Sequence, residues 1–236
     1  MQTRMKVRMR YVIICLICLF ANTFRLKAQE ISSVSDLPLQ LSVSKGSLED
    51  LVIYVTGDGG WNYFNQQMVQ EFEKQGYGVV ALNTRKYFWN EKSPEVFAHD
   101  FELLSNCYLK EWKKSSLIIV GYSFGADVAS FLPNRLSVEL QKKVKKIVLL
   151  SPSASNDFVI RLSDMMGGNE NINRKYKVGP EIDKADLPIV CIFGKDEVMT
   201  LKNNLMRNKN LIVNELPGDH QYNNNLSLLL KMMGIQ

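Results

Sequence analysis

The residues best suited to chemistry stand together in Gly121-Tyr122-Ser123-Phe124-Gly125. A short apolar run, Leu117 to Val120, precedes them, and Ala126, Val128, Ala129, Phe131 and Leu132 follow at helical spacing until Pro133. A serine between two glycines, with a strand in front and a helix behind, is the pattern of a nucleophile held on a sharp strand-to-helix turn. Such a turn strains the backbone at the serine, and a Cβ at either glycine would strike the adjoining elements. Ser123 then stands at a helix start, where backbone N–H groups without partners favour the negative charge of acyl transfer.

A serine hydroxyl is a weak nucleophile at neutral pH and needs a base within hydrogen-bond reach. The chain has two histidines, His99 and His220. With a serine on this kind of elbow the partners follow in the order serine, acid, histidine, which excludes His99 and selects His220. His99 reads as a solvent-facing helix residue. The acid is expected just after the preceding strand, in Gly194-Lys195-Asp196-Glu197. Asp196 is the first choice and Glu197 the alternative, since one residue in such a loop decides which carboxylate points inward. One oxyanion donor is expected at the N–H of Phe124, and a second in Gly57-Asp58-Gly59-Gly60, at Asp58 or Gly59. This chemistry calls for no metal and no cofactor.

The elements that must position these residues are legible as runs. Pro38 to Val43 alternates like an edge strand, and Leu51–Thr56, Gly78–Leu82, Lys146–Ser151, Ile189–Phe193 and Leu211–Leu216 read as further strands. Helical patterns lie between them, from about Asn62 to Gln75, from Ser93-Pro94-Glu95 to about Lys113, and at the C-terminus with Leu226, Leu229, Leu230 and Met233 on one face. The alternation predicts an α/β domain, a mostly parallel sheet flanked by helices, with ligands at the carboxyl ends of the strands. The candidate loops all fall at such ends, among them a loop from Asn83 to Asn90 dense in basic and aromatic side chains. The stretch Ser153 to Lys184, with Phe158, Val159, Ile160, Leu162, Met165 and Met166, reads either as a small lid or as a plain surface helix, so any cap is minimal.

The first 28 residues differ in character from the rest. Arg4, Lys6, Arg8 and Arg10 precede the apolar run Tyr11 to Ala21, and Leu26-Lys27-Ala28 offers a cleavage point. That reads as a secretory signal peptide, since the run is short for an uncleaved membrane anchor. Its removal takes away six of the 29 basic residues and no acidic ones, leaving 23 against 24. The basic balance therefore belongs to the leader and implies no nucleic-acid partner. Residues 29–236 are expected as a single domain in the periplasm or cell envelope. Cys107 and Cys191 could pair in an oxidising compartment, although a cysteine in a buried strand is usually a small apolar side chain.

Thr56-Gly57-Asp58-Gly59-Gly60-Trp61, Arg85-Lys86-Tyr87-Phe88-Trp89, Lys92-Ser93-Pro94-Glu95, Gly121 to Asp127 and Asn134-Arg135-Leu136 resemble the VirJ/AcvB family of bacterial envelope proteins over nearly all of the mature chain. The resemblance implies an α/β-hydrolase fold, export across the inner membrane, and an esterase with Ser123 and His220 on the catalytic positions. Some members are implicated in hydrolysing lysyl-phosphatidylglycerol, others in supporting type IV secretion. The alternatives are a non-catalytic, secretion-associated binding protein and a general carboxylesterase. An aminoacylated phospholipid suits the residues, because Asp58 would face its ammonium group and Arg85 or Lys86 its phosphate. Tyr87, Phe88 and Trp89 would then meet acyl chains or the membrane surface. The plainer reading makes Asp58 the cap of the following helix and leaves Arg85 and Lys86 solvated.

Overall fold

The strand runs and the glycine-punctuated turns assemble into one sheet in the computed structural model, which describes residues 33–43, 46, 48–161, 172–205 and 209–235. The leader read in residues 1–28, and Leu162, Met165 and Met166, lie outside the described residues. The strands are β1 (Leu39–Ser42), β2 (Asp50–Val55), β3 (Gly78–Leu82), β4 (Ser116–Tyr122), β5 (Val144–Leu150), β6 (Ser155–Asn156), β7 (Tyr176–Lys177), β8 (Ile189–Gly194) and β9 (Leu211–Leu216). Seven of them form the central sheet in the order β1-β3-β2-β4-β5-β8-β9, while β6 and β7 pair separately. Only β1 runs antiparallel in that sheet, on its edge against β3.

The helices are α1 (Tyr63–Lys74), α2 (Thr84–Tyr87), α3 (Pro94–Glu111), α4 (Phe124–Ala129), α5 (Val138–Gln141), α6 (Val178–Asp183), α7 (Thr200–Asn204) and α8 (Leu226–Met232). The strand period of two divides the core between the two faces of the sheet. Leu51, Ile53 and Val55 of β2 join Phe97, Phe101 and Leu104 of α3. Val52 and Tyr54 join Phe64, Met68 and Phe72 of α1 and Leu229 and Leu230 of α8. The starts of α1 and α3 are set by side-chain caps, Asn62 to the N–H of Asn65 and Ser93 to the N–H of Val96, the latter with Pro94 at the first helical position.

Two expectations need correction. Asn83 to Asn90 is not a loop throughout: Asn83 caps α2 by accepting from the Lys86 N–H. That turn sends Arg85 and Lys86 to solvent and rotates Tyr87 and Phe88 inward. Tyr87 donates to Asp100 Oδ2 at 2.5 Å. Phe88 is fully buried among the rings of Phe97, Phe124 and Phe158. Trp89 alone of the three aromatics is exposed, at 55 %. The second correction concerns Phe158 and Ile160, which are buried in the core and belong neither to a lid nor to an exposed helix. Two hydrogen bonds strap this segment down, Lys92 N–H to Phe158 O at 3.0 Å and Ile160 N–H to Phe88 O at 2.9 Å. In addition α4 is shorter than its apolar spacing suggests, the chain continuing to Leu136 in hydrogen-bonded turns.

Candidate active site

At the end of β4, Ser123 takes φ 54° and ψ −123°, a region that a residue with a Cβ occupies only when its surroundings enforce it. The enforcing contacts are backbone ones. Ser123 donates its N–H to Leu150 O at 2.8 Å, and its carbonyl accepts from Ala126 and Asp127 at 2.8 and 3.0 Å. A Cβ at Gly121 would lie 2.5 Å from Gly125 O, and one at Gly125 would overlap the carbonyl oxygens of Val55 and Thr56. Both glycines are therefore required by the close approach of β2, β4 and α4.

His220 follows β9, and its Nδ1 is hydrogen-bonded to Glu197 Oε1. Asp196 is not the partner. The chain after β8 turns back on itself, Glu197 N–H to Gly194 O at 3.3 Å, which carries the Glu197 side chain inward and leaves Asp196 exposed with its own N–H on Gly218 O at 3.0 Å. The Glu197 side chain is 5 % exposed and that of His220 43 % exposed. Burial by itself would raise the Glu197 pKa. The hydrogen bonds from His220, from Ser151 and from the Gly194 N–H outweigh it and hold the carboxyl below its ordinary value. With Glu197 ionised, His220 Nδ1 carries the proton of the shared hydrogen bond and Nε2 is free to accept one.

Tyr122, the residue before the serine, contacts the histidine. Its hydroxyl donates to His220 O at 3.2 Å, and its ring centroid lies 5.3 Å from that of the imidazole. The phenol is pushed well up, first by burial and then by the nearby charges of Glu197, Asp58 and Asp219. His99 lies exposed on α3, away from the histidine-carboxylate pair.

The Gly57–Gly60 segment is a tight turn closed by Gly60 N–H to Gly57 O at 2.9 Å, with Asp58 and Gly59 at its centre. A Cβ added at Gly57 would sit 3.4 Å from Ser123 Cβ, so the turn lies against the serine. It is held from both sides. Thr84 donates to Gly57 O at 2.5 Å, while the buried Asn65 donates to Gly60 O at 2.6 Å and accepts from Tyr54. Asp58 does not cap α1, because Asn62 does. Arg85 borders the same turn, its Cβ 2.9 Å from the position of a Cβ on Gly60. Phe124 is the first residue of α4, where an N–H lacks an intrahelical acceptor.

Sequence reasoning missed Tyr122, Ser151 and Tyr222. The signal for Ser151 was available, since it follows the apolar run of β5 at the carboxyl end, where the other candidate loops lie. Cys107 and Cys191 are both free thiols, and burial pushes Cys191 up.

Three comparisons bear on this arrangement. No curated protein matches the chain. Among solved structures, a lipase-esterase related protein from Clostridium acetobutylicum ATCC 824 superposes with a TM-score of 0.59 at 14 % identity, covering 85 % of this chain and 99 % of that one. Est1E from Butyrivibrio proteoclasticus gives 0.56 at 14 % identity, with 84 % and 90 % covered. Olei00960, a hydrolase from Oleispira antarctica, gives 0.57 at 12 % identity, with 86 % and 98 % covered. At these identities the likeness establishes the α/β-hydrolase fold. The family profile described as Bacterial virulence protein (VirJ) matches residues 49–235. With that match spanning most of the chain and the sheet built as above, the chain is a member of the VirJ family on an α/β-hydrolase fold.

Proposed function

We propose that the protein is an exported serine esterase of the bacterial envelope, with Ser123 as nucleophile, His220 as base and Glu197 as the acid that orients it. The observation that carries this reading is the His220–Glu197 hydrogen bond at the same strand ends as the strained Ser123. In the reaction Ser123 Oγ attacks the ester carbonyl while His220 Nε2 takes its proton. Glu197 holds the Nδ1 proton and stabilises the imidazolium. The oxyanion is met by the N–H of Phe124 and by one from Asp58 or Gly59. Collapse expels the alcohol with the proton from His220. Water activated by the same imidazole then releases the acid and restores the serine.

An aminoacylated phospholipid, such as lysyl-phosphatidylglycerol, is the substrate class that the rim favours. Asp58 stands in the turn that lies against Ser123 and does not cap α1, which supports a substrate ammonium as its counter-charge, the alternative being a side chain turned to solvent. The exposed Arg85 on the bordering turn supports a phosphate as one contact, and the exposed Trp89 supports the bilayer interface as another. Tyr87 and Phe88 take no part, being buried.

Reaction with a fluorophosphonate probe tests the chemistry. Labelling is expected in the wild-type protein and absent in Ser123→Ala. No Ser123-dependent labelling of folded protein would turn the reading to a non-catalytic envelope binding protein. Asp58→Asn tests the substrate: turnover should fall selectively on lysyl-phosphatidylglycerol, and equal losses on a neutral short-chain ester would leave a general carboxylesterase.

A further inference from the structure

The carboxylate that holds the imidazole is itself held, at the oxygen facing away from the histidine. Glu197 Oε2 accepts from Ser151 Oγ at 2.7 Å and from the Gly194 N–H at 2.5 Å, which leaves Oε1 to His220. Ser151 is the first residue after β5, is buried, and is anchored by its N–H on Ile192 O at 2.8 Å. Its Oγ also lies 2.7 Å from the hydroxyl of Tyr222, which donates to Ile192 O at 3.0 Å. Proton counting fixes the roles. A carboxylate can only accept, so the single hydroxyl proton of Ser151 goes to Glu197, and the single phenolic proton of Tyr222 is shared between Ile192 O and Ser151 Oγ. Ser151 and Tyr222 both have positive φ, 49° and 55°, which non-glycine residues keep only where their surroundings over-determine them.

We propose that Ser151 is a positioning residue, acting through Glu197 on His220, with Tyr222 as its own anchor. The inference rests on the esterase reading. The last torsion of a glutamate side chain is broad and soft, so a carboxylate with one oxygen on a histidine and the other free would swing and let the imidazole tilt. Two donors on Oε2 remove that freedom. Glutamate, with one more rotatable bond than aspartate, has the greater need of such a brace.

The test measures fluorophosphonate labelling of Ser123 and hydrolysis of p-nitrophenyl acetate in wild type, Ser151→Ala, Glu197→Gln and the double variant. Ser151→Ala keeps the Cβ, and urea unfolding checks that it is folded. Losing a hydrogen bond to a charged group predicts a fall of about 10- to 100-fold in kcat and in the labelling rate, with KM little changed. In the Glu197→Gln background the same substitution should have almost no further effect, whereas a merely structural serine would cost as much there as in wild type. Tyr222→Phe, which removes only a hydroxyl, should act in the same direction by a smaller factor and also lose its effect in Glu197→Gln. Wild-type rates in Ser151→Ala, or additive losses in the double variant, would overturn the inference while the esterase reading stands. No labelling of the wild type would overturn both.

Discussion

At the residue scale, Asp196 and Glu197 are adjacent carboxylates that the turn after β8 treats oppositely, one in solvent and one against His220. Glu197→Gln is therefore expected to cost on the order of a thousandfold or more in turnover, as loss of an imidazole-orienting acid does elsewhere. Asp196→Asn should stay close to wild type. Steady-state hydrolysis of one ester by both variants decides the matter, and comparable mild losses would place the acid elsewhere. Ser123→Ala and His220→Ala should each abolish hydrolysis, Ser123→Ala with little change in urea stability because Ser123 stands on the rim, and His220→Ala with some loss because it leaves the buried Glu197 carboxylate without its partner.

At the scale of elements, the elbow depends on the absence of a side chain where β2 meets α4. Gly125→Ala places a Cβ into two backbone carbonyls that have no rotamer with which to yield, so it should destabilise the fold by about 3 kcal/mol or more in urea unfolding. The aromatic cluster under α2 makes a second prediction. Phe88 is buried among Phe97, Phe124 and Phe158, and truncation to alanine should cost about 3–5 kcal/mol. Were Phe88 part of a substrate surface, the same variant would lose activity and keep its stability. Asn134-Arg135-Leu136 also turns out to work between elements. Arg135 forks onto Glu181 at 2.7 and 3.3 Å, reaches Glu95 at 3.2 Å and lies over the Phe131 ring, joining α3, α6 and the turns after α4.

At the scale of the whole molecule, several carboxylates are held below their ordinary values. In each, burial opposes the shift and hydrogen bonds exceed it: His220 and Ser151 at Glu197, Arg135 and Asn134 at Glu181, and the Lys175 N–H with Arg161 at Asp157. A carboxyl whose folded pKa is depressed stabilises the fold above its unfolded value and loses that contribution as pH falls through the folded one. Stability should thus be flat from neutrality to about pH 5 and decline below about pH 4. Glu181→Gln should flatten part of that decline when urea midpoints are compared across this range. Export belongs to the same scale: mass spectrometry of envelope fractions should find a mature N-terminus at or near Gln29, and an intact leader in the membrane would establish an anchor instead.

The sequence by itself determined the parts whose causes are local. The G-x-S-x-G turn announces its strain through glycines two residues either side of Ser123, strand and helix periods give the order of elements, and chain order singles out His220 over His99. It also listed both carboxylates after β8 and preferred Asp196, whereas the one that meets His220 is Glu197. That choice rests on a backbone turn and on donors from Ser151 and Gly194, one of them 46 residues away in the chain, so only the packed sheet could make it. The inward rotation of Tyr87 and Phe88 was hidden for the same reason. Basic and aromatic residues in succession read as a surface loop until Asn83 caps a turn of helix, and the apolar cluster they complete draws on α3, α4 and the segment at Phe158. Local pattern settles which groups can reach a strand end, and the contacts between distant elements settle which way each one points.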